Sequence, residues 1–195
     1  TIVQRIVDAV GEQGGLVVFD EAYQPFSSRT WMSRAAQHEH VLVMRTLSKF
    51  GLAGVRLGYM VGAAALIDEI DKVRPPYNIS VLNCECALFA LEHAKVFEAQ
   101  AATIRAERTK LLAALATLPG VTVWPSDANM ILVRIDGAEQ GGGDRAGKTF
   151  DRMKAHGVLV KNVSKMHPLL ANCLRLTVGT ADENARMLAT LESSL

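Results

Sequence analysis

The stretch VMRTLSKFGLAGVRLGYMVG, residues 43–62, places a lysine in a polar loop between two apolar runs. The flanking runs, HVLVMRT at 40–46 and RLGYMVG at 56–62, have the length and apolar character of strands buried in a sheet. Lys49 lies between them, and a charged side chain there is costly unless it reaches solvent or has a function. An isolated loop lysine is usually just solvated, so the residues around Lys49 decide its interpretation.

The residues around Lys49 are donors for an anion. Thr46 and Ser48 precede it, and Arg56 follows it seven residues later. Two hydroxyls and a planar guanidinium form the donor set that a phosphate dianion requires. Gly51 allows the backbone to approach such a group closely. The loop therefore indicates a phosphate site beside a primary amine.

A second polar pair follows an earlier apolar run, LVVFD at 16–20. Asp20 ends this run and Tyr23 lies three residues later, although a helix cap, a salt bridge or a half-buried tyrosine would also explain them. Lys49 suits Schiff-base chemistry, because lysine titrates readily when it is desolvated. A carboxylate, a phenol, an amine and phosphate donors together indicate pyridoxal phosphate, whose ring nitrogen needs an acid beside it.

The first part of the chain predicts an α/β sheet with helices on its faces, because strands alternate with helical patterns. The predicted strands cover 16–20, 40–46 and 56–62, and the predicted helices cover 2–13, 31–38 and 64–74. A helical pattern then continues from 80 to 118. That length exceeds an ordinary globular helix, so we expect a bent connector between two domains.

The remainder predicts a small α+β domain with the order strand, strand, helix, strand, strand, helix. The predicted elements are strands 121–125 and 130–135, helix 148–157, strands 158–162 and 173–179, and a helix from Asp182. Residues 139–147 predict a flexible surface loop.

Composition excludes several classes of function. The formal net charge of +1, without a basic cluster, argues against nucleic acid as the main partner. The apolar stretches are short and interrupted by charges, so no membrane span is expected. Three cysteines, an odd number, are expected to be reduced thiols in a cytoplasmic protein. Cys84 and Cys86 have no second pair and the five histidines have no ligand spacing, so no metal site is expected.

Four motifs resemble the fold-type-I pyridoxal-phosphate aminotransferases, and within them the histidinol-phosphate aminotransferase branch. The motifs are FDEAYQPF at 19–26, RTLSKFGLAGVRLGY at 45–59, PPYNIS at 75–80 and CLRLTVGT at 173–180. The resemblance implies that residues 1–104 are part of the large cofactor-binding α/β/α domain, including the start of a long connecting helix. Residues 105–195 would then be the small C-terminal α+β domain, which binds substrate.

The resemblance also implies a role for each matching residue. Lys49 would bind the cofactor as a Schiff base and move protons, Asp20 would pair with the pyridine nitrogen, and Tyr23 would hydrogen-bond the ring oxygen. The cofactor phosphate would be bound by Thr46, Ser48 and Arg56.

Three further residues are implied for the substrate. Arg175 matches the arginine that binds a substrate carboxylate, and Arg186 lies where this branch tends to have a second anion-binding arginine. Asn129 is expected to approach the substrate. The loop from Lys49 to Arg56 is one residue shorter here than in many relatives.

The implied reaction exchanges an amino group between histidinol phosphate and 2-oxoglutarate, a step of histidine biosynthesis, in a cytoplasmic homodimer. Two enzyme alternatives are transamination of aromatic amino acids and decarboxylation of threonine phosphate, and a non-enzyme alternative is an inactive fragment that keeps the fold. The family has about as much chain again before the first of these motifs. We therefore expect the 195 residues alone to be inactive and poorly soluble.

Overall fold

A computed structural model describes residues 1–136 and 143–195. Contacts divide the chain into two compact units, unit 1 at Thr1–Ala99 and unit 2 at Gln100–Leu195. The prediction of domains at 1–104 and 105–195 concerns the whole protein and stays a prediction. Among the residues with described positions, no helix is both long and apolar enough to cross a membrane.

Unit 1 contains a three-stranded sheet with the strand order β1-β2-β3. Its elements are α1 (Ile2–Glu12), β1 (Val17–Asp20), α2 (Met32–Ala35), β2 (Val41–Thr46), β3 (Gly58–Gly62), α3 (Ala64–Asp71) and α4 (Val81–Glu92). Strand β2 pairs in parallel with β1 and antiparallel with β3. The predicted α/β sheet is confirmed, and each strand lies within its predicted range.

An apolar run such as that at 16–20 is typical of a strand buried on both faces, but β1 is only partly covered in this structure. Val41, Leu42 and Val43 of β2 are buried as predicted, but Val18 of β1 is 49% exposed and Asp20 is also exposed. Side chains alternate between the two faces of a strand. A continuous apolar run cannot show whether both faces are covered, and in unit 1 the face of β1 that carries Val18 is open.

The predicted helix over 80–118 is two helices, α4 and α5 (Ala94–Leu115). His93 separates them, and its ring Nδ1 donates a hydrogen bond to the carbonyl of Phe89 at 2.8 Å. The backbone N–H of His93 also bonds to that carbonyl. The chain therefore ends α4 with its own histidine cap, which an apolar periodicity does not reveal.

Unit 2 contains an antiparallel sheet with the strand order β4-β5-β7-β6. Its elements after α5 are β4 (Val121–Val123), β5 (Met130–Ile135), α6 (Arg145–Ala155), β6 (Lys161–Asn162), β7 (Cys173–Thr177) and α7 (Ala181–Ser194). The predicted order of strands and helices is confirmed. Helix α6 starts before its predicted residue, because the Asp144 side chain accepts a hydrogen bond from the Gly147 N–H at 2.8 Å.

The expected surface loop at 139–147 lies partly outside the described residues, which exclude 137–142.

One face of the unit 2 sheet is covered by helices. The core cluster combines residues of α5, α6 and α7 with alternate residues of β5 and β7; its strand members are Ile131, Val133, Ile135, Leu174 and Leu176. Helix α7 begins with a capping box between Thr180 and Glu183. The residues of β5 and β7 that alternate with the core residues face the other side of the sheet.

Candidate active site

Two strand ends position the polar residues of unit 1. In the parallel pair of β1 and β2, Asp20 is in register with Met44, so both strands end at the same edge of the sheet. Thr46 ends β2 and lies two residues after Met44, which places it on the same face as Asp20. Carboxyl ends of parallel strands are where ligands bind in open α/β sheets.

The lysine loop follows directly from β2. A short 3₁₀ turn, Ser48–Phe50, carries Lys49, and the turn closes at Gly51 with φ 109°. Only glycine adopts that backbone conformation at little cost. The Thr46 hydroxyl accepts a hydrogen bond from the Ser48 N–H at 3.1 Å and donates to the Leu57 carbonyl at 3.3 Å. The loop is therefore fixed to the start of the next strand.

Tyr23 lies beside the lysine. The Lys49 Nζ is 5.2 Å from the centre of the Tyr23 ring, within the range of a cation–π contact. The Asp20 carboxylate accepts a hydrogen bond from the Ala22 N–H at 3.0 Å, which starts the turn that leads to Tyr23. The structure thus brings together the carboxylate, the phenol and the amine that the sequence singled out.

Arg56 completes this cluster from the other end of the loop. Its backbone has φ 52°, a left-handed conformation that is uncommon for residues other than glycine. Its Nη1 lies 3.5 Å from the Ser48 hydroxyl. A guanidinium and a hydroxyl therefore converge, and the strained backbone at Arg56 is of the kind found at ligand sites. All six residues predicted for the cofactor lie on this one sheet edge and its loop.

The predicted substrate residues lie in unit 2, and the structure separates them. Arg175 on β7 is opposite Leu132 of β5 on the sheet face without helices, and it is exposed. Arg186 lies on α7, which packs on the covered face, and its Nη2 donates to the His156 carbonyl at 3.4 Å. The structure therefore does not bring Arg186 next to Arg175, and its substrate role stays a prediction.

Asn129 immediately precedes β5. Its carbonyl accepts a hydrogen bond from the Val178 N–H at 2.9 Å. Its side-chain Oδ1 is buried and has no hydrogen-bond partner among the described residues. An unpaired buried acceptor is costly, so this oxygen is available to a ligand donor. Its role as a substrate residue stays a prediction.

Lys161 is a further cation of unit 2 that the sequence did not single out as a site candidate. It lies directly opposite Arg175 in the antiparallel pair of β6 and β7. Two like charges directly opposite each other destabilise a sheet unless an anion lies between them. The signal in the sequence was the pairing of the strands predicted at 158–162 and 173–179, which sets these two cations side by side.

The chain matches a family and several relatives. A family model described as aminotransferase class I and II matches residues 2–191. The histidinol-phosphate aminotransferase of Polaromonas naphthalenivorans is 65% identical over 194 residues, which are 100% of this chain and 51% of that protein. The chain thus spans about half the length of the curated relatives that it matches.

Solved structures match the fold. The histidinol-phosphate aminotransferase of Clostridium acetobutylicum superposes with a TM-score of 0.85 at 18% identity, over 97% of this chain and 57% of that one. The histidinol-phosphate aminotransferase of Sinorhizobium meliloti, solved in complex with pyridoxal-5'-phosphate, gives a TM-score of 0.75 at 25% identity. That match covers 92% of this chain and 48% of the other.

Proposed function

Since this chain belongs to the class I and II aminotransferases, we propose that it supplies cofactor and substrate residues of a pyridoxal-phosphate-dependent transaminase. The proposed substrates are histidinol phosphate as amino donor and 2-oxoglutarate as acceptor, a reaction of histidine biosynthesis. The observation that carries the proposal is the contact between Lys49 and Tyr23 beside Asp20, at the shared edge of β1 and β2.

The donor set of unit 1 fits pyridoxal phosphate group by group. The Asp20 carboxylate is exposed and accepts one N–H in the turn after β1, which leaves an oxygen for a protonated ring nitrogen. The Tyr23 phenol can donate to the ring hydroxyl oxygen, and the Lys49 amine can take the aldehyde carbon. The phosphate is matched by the hydroxyls and the guanidinium of the lysine loop: Thr46, Ser48 and Arg56.

When bound, pyridoxal phosphate supplies an aldehyde that condenses with amines and a protonated ring that withdraws electrons from the substrate α-carbon. Asp20 keeps the ring nitrogen protonated, because a carboxylate beside a pyridinium favours the charged form. Once the incoming substrate amine has taken its place on the aldehyde carbon, the freed Lys49 Nζ would remove the proton from the α-carbon of the amino donor as a general base. Tyr23 would orient the ring by a hydrogen bond from its phenol, and Thr46, Ser48 and Arg56 would hold the phosphate.

We assign the anionic group of the substrate to Arg175 and Lys161. Histidinol phosphate carries a phosphate, and 2-oxoglutarate carries two carboxylates, so a single site must accept different anions in turn. The planar guanidinium of Arg175 suits either anion by paired hydrogen bonds. The adjacent Lys161 ammonium adds a second charge, which makes the cation pair favourable only when an anion is present.

A homodimer in the cytoplasm is part of this proposal. Apolar side chains of unit 1 are exposed in the single chain, including Leu82 at 77%, and large exposed apolar patches mark surfaces that other protein covers. Light scattering on the native protein should give twice the mass of one chain. A monomer that is fully active would contradict this part of the proposal.

The reaction is tested by incubating the native protein, purified from its natural source, with pyridoxal phosphate, histidinol phosphate and 2-oxoglutarate. Formation of glutamate in proportion to the loss of histidinol phosphate is expected. Phenylalanine as donor should react more slowly, and threonine phosphate should release no carbon dioxide. Faster reaction with phenylalanine would assign the protein to the aromatic transaminases, and release of carbon dioxide would assign it to the decarboxylases.

A further inference from the structure

We propose that Glu21 and Arg45 are a positioning pair that sets the separation of the two strand ends carrying the cofactor residues. The Nε and Nη2 atoms of Arg45 both donate to Oε2 of Glu21, at 3.1 and 2.9 Å. The side chain of Arg45 is only 19% exposed and that of Glu21 only 10%. This inference rests on the proposed function, because it concerns the geometry of the proposed cofactor site.

The pair lies behind the cofactor residues. Glu21 follows Asp20 and Arg45 precedes Thr46, and successive side chains of a strand point to opposite faces. The register of β1 with β2, continued by one residue from Asp20 and Met44, brings Glu21 opposite Arg45. The pair therefore joins the two strand ends from the face of the sheet opposite to Asp20 and Thr46.

The same carboxylate closes the loop that contains Tyr23. Glu21 Oε1 accepts the Trp31 N–H at 2.5 Å, and Oε2 accepts the Thr30 hydroxyl at 2.9 Å. The Thr30 hydroxyl also accepts from Arg45 Nη2 at 2.9 Å. The Trp31 ring stacks on Phe19 of β1 with 4.5 Å between ring centres. The loop from Glu21 to Trp31 is therefore fixed at both of its ends by one carboxylate.

Positioning, rather than stability, explains why charges are used here. A largely buried ion pair returns little net stability, since desolvation of both charges offsets their attraction. The planar guanidinium of Arg45, bonded to the fixed carboxylate of Glu21, does define the distance and angle between the two strand ends closely. A cofactor site needs its groups within about 0.5 Å of the productive arrangement. The pair meets that need for Asp20 on one strand and the lysine loop on the other.

The test compares Arg45→Lys with the wild type in the native protein and uses binding of pyridoxal phosphate as the readout. Lysine keeps the charge but cannot make the paired contact. We expect the dissociation constant of pyridoxal phosphate to rise roughly 10-fold to 100-fold, the range seen when groups that orient metal ligands are altered. The pH at which the absorbance of the bound cofactor changes should also shift, while the melting temperature changes by only a few degrees.

Arg74→Lys is the matched control. Arg74 lies just after α3, and its Nε contacts the carboxylate of Asp71 at the end of that helix at 2.6 Å, but both side chains are exposed. This variant should leave the dissociation constant and the pH midpoint unchanged. A second variant, Thr30→Val, removes the bridging hydroxyl and leaves both charges. It should raise the dissociation constant by a smaller factor than Arg45→Lys does. If Arg45→Lys does not fold, Thr30→Val tests the inference instead.

Wild-type affinity and an unchanged pH midpoint in Arg45→Lys would overturn the inference and leave the proposed function standing. If that variant does not fold, wild-type affinity in Thr30→Val would overturn it. Wild-type protein that binds no pyridoxal phosphate would refute the proposed function, and the inference with it. These results are distinguishable because the wild-type dissociation constant is measured first.

Discussion

Units 1 and 2 differ in how completely they cover their own apolar side chains. Unit 2 buries a continuous core in which Ile131, Leu174 and Leu176 are fully inaccessible. Unit 1 leaves apolar side chains of α4 and β1 exposed, among them Leu88 at 55% and Val18 at 49%. Apolar surface of this extent is stable only against further protein. The unit that carries the proposed cofactor residues is therefore the one that depends more on other protein surface.

The largest expected effect comes from separating the units. Residues 100–195, produced alone, should fold and unfold in a single cooperative transition, because their core is closed. Residues 1–99 alone should aggregate or bind a dye that reports exposed apolar surface. Circular dichroism during heating and light scattering measure both outcomes. A soluble, monomeric 1–99 fragment with a cooperative transition would contradict this difference between the units.

The next effect concerns the division of labour between the units. Arg56→Ala in the native protein should weaken retention of pyridoxal phosphate, whereas Arg175→Ala should mainly raise KM. Each change removes hydrogen bonds to an anion, worth about 1.5–3 kcal/mol per bond and thus roughly 10-fold to 100-fold. Arg175→Lys should also be impaired, because an ammonium cannot make the paired contact.

Cofactor titration and steady-state kinetics separate the two effects. Equal loss of cofactor in the Arg56 and Arg175 variants would contradict the division.

A third effect concerns the different burial of leucines in the two units. Leu176→Ala should lower the free energy of unfolding by about 2–5 kcal/mol, because it opens a cavity in a closed core. Leu88→Ala should cost less than about 1 kcal/mol in the 195-residue chain, where that side chain is half exposed. Urea titration measures both values. A larger cost for Leu88→Ala in the native protein would show that other protein covers α4 there.

The smallest effect concerns the start of α7 and its pH dependence. Hydrogen bonds from the Thr180 N–H and hydroxyl lower the pKa of Glu183 below its usual value of 4.5. A lowered pKa in the folded state stabilises the protein at neutral pH, and this contribution is lost as the pH falls below that value. Thr180→Ala should cost about 1 kcal/mol as a lost N-cap.

Thr180→Ala should also lose less stability than the wild type as the pH falls from 6 to 3. Melting temperatures across this range measure it, with Thr190→Ala on the same helix as control. An identical pH profile in both variants would contradict the assignment to the cap.

The positions of the strands of unit 1 along the chain were predictable because they depend on local pattern. Apolar runs ending in Asp20 and Thr46 place those residues at strand ends, and the sheet then brings them together. An apolar run does not reveal what covers it, so the run at 16–20 could not show by itself which face of β1 is open. Likewise, the single histidine that separates α4 from α5 has no apolar signature.

Contacts between distant residues were the other gap. Glu21 and Arg45 are far apart along the chain and become neighbours only through the register of β1 with β2. Lys161 and Arg175 meet only because β6 and β7 pair. Charges in the sequence have no visible partner until the strand register is known.

The central claim is that Lys49 is the cofactor lysine, and chemical labelling tests it most directly. The native protein is incubated with pyridoxal phosphate, reduced with borohydride to make the lysine bond permanent, digested and mapped by mass spectrometry. Lys72→Ala, which removes an exposed lysine paired with Glu69, serves as control and should label as the wild type does. We expect one pyridoxyl group, on Lys49, and no labelling after Lys49→Ala. A label on Lys72, Lys148 or Lys161 in place of Lys49 would contradict it.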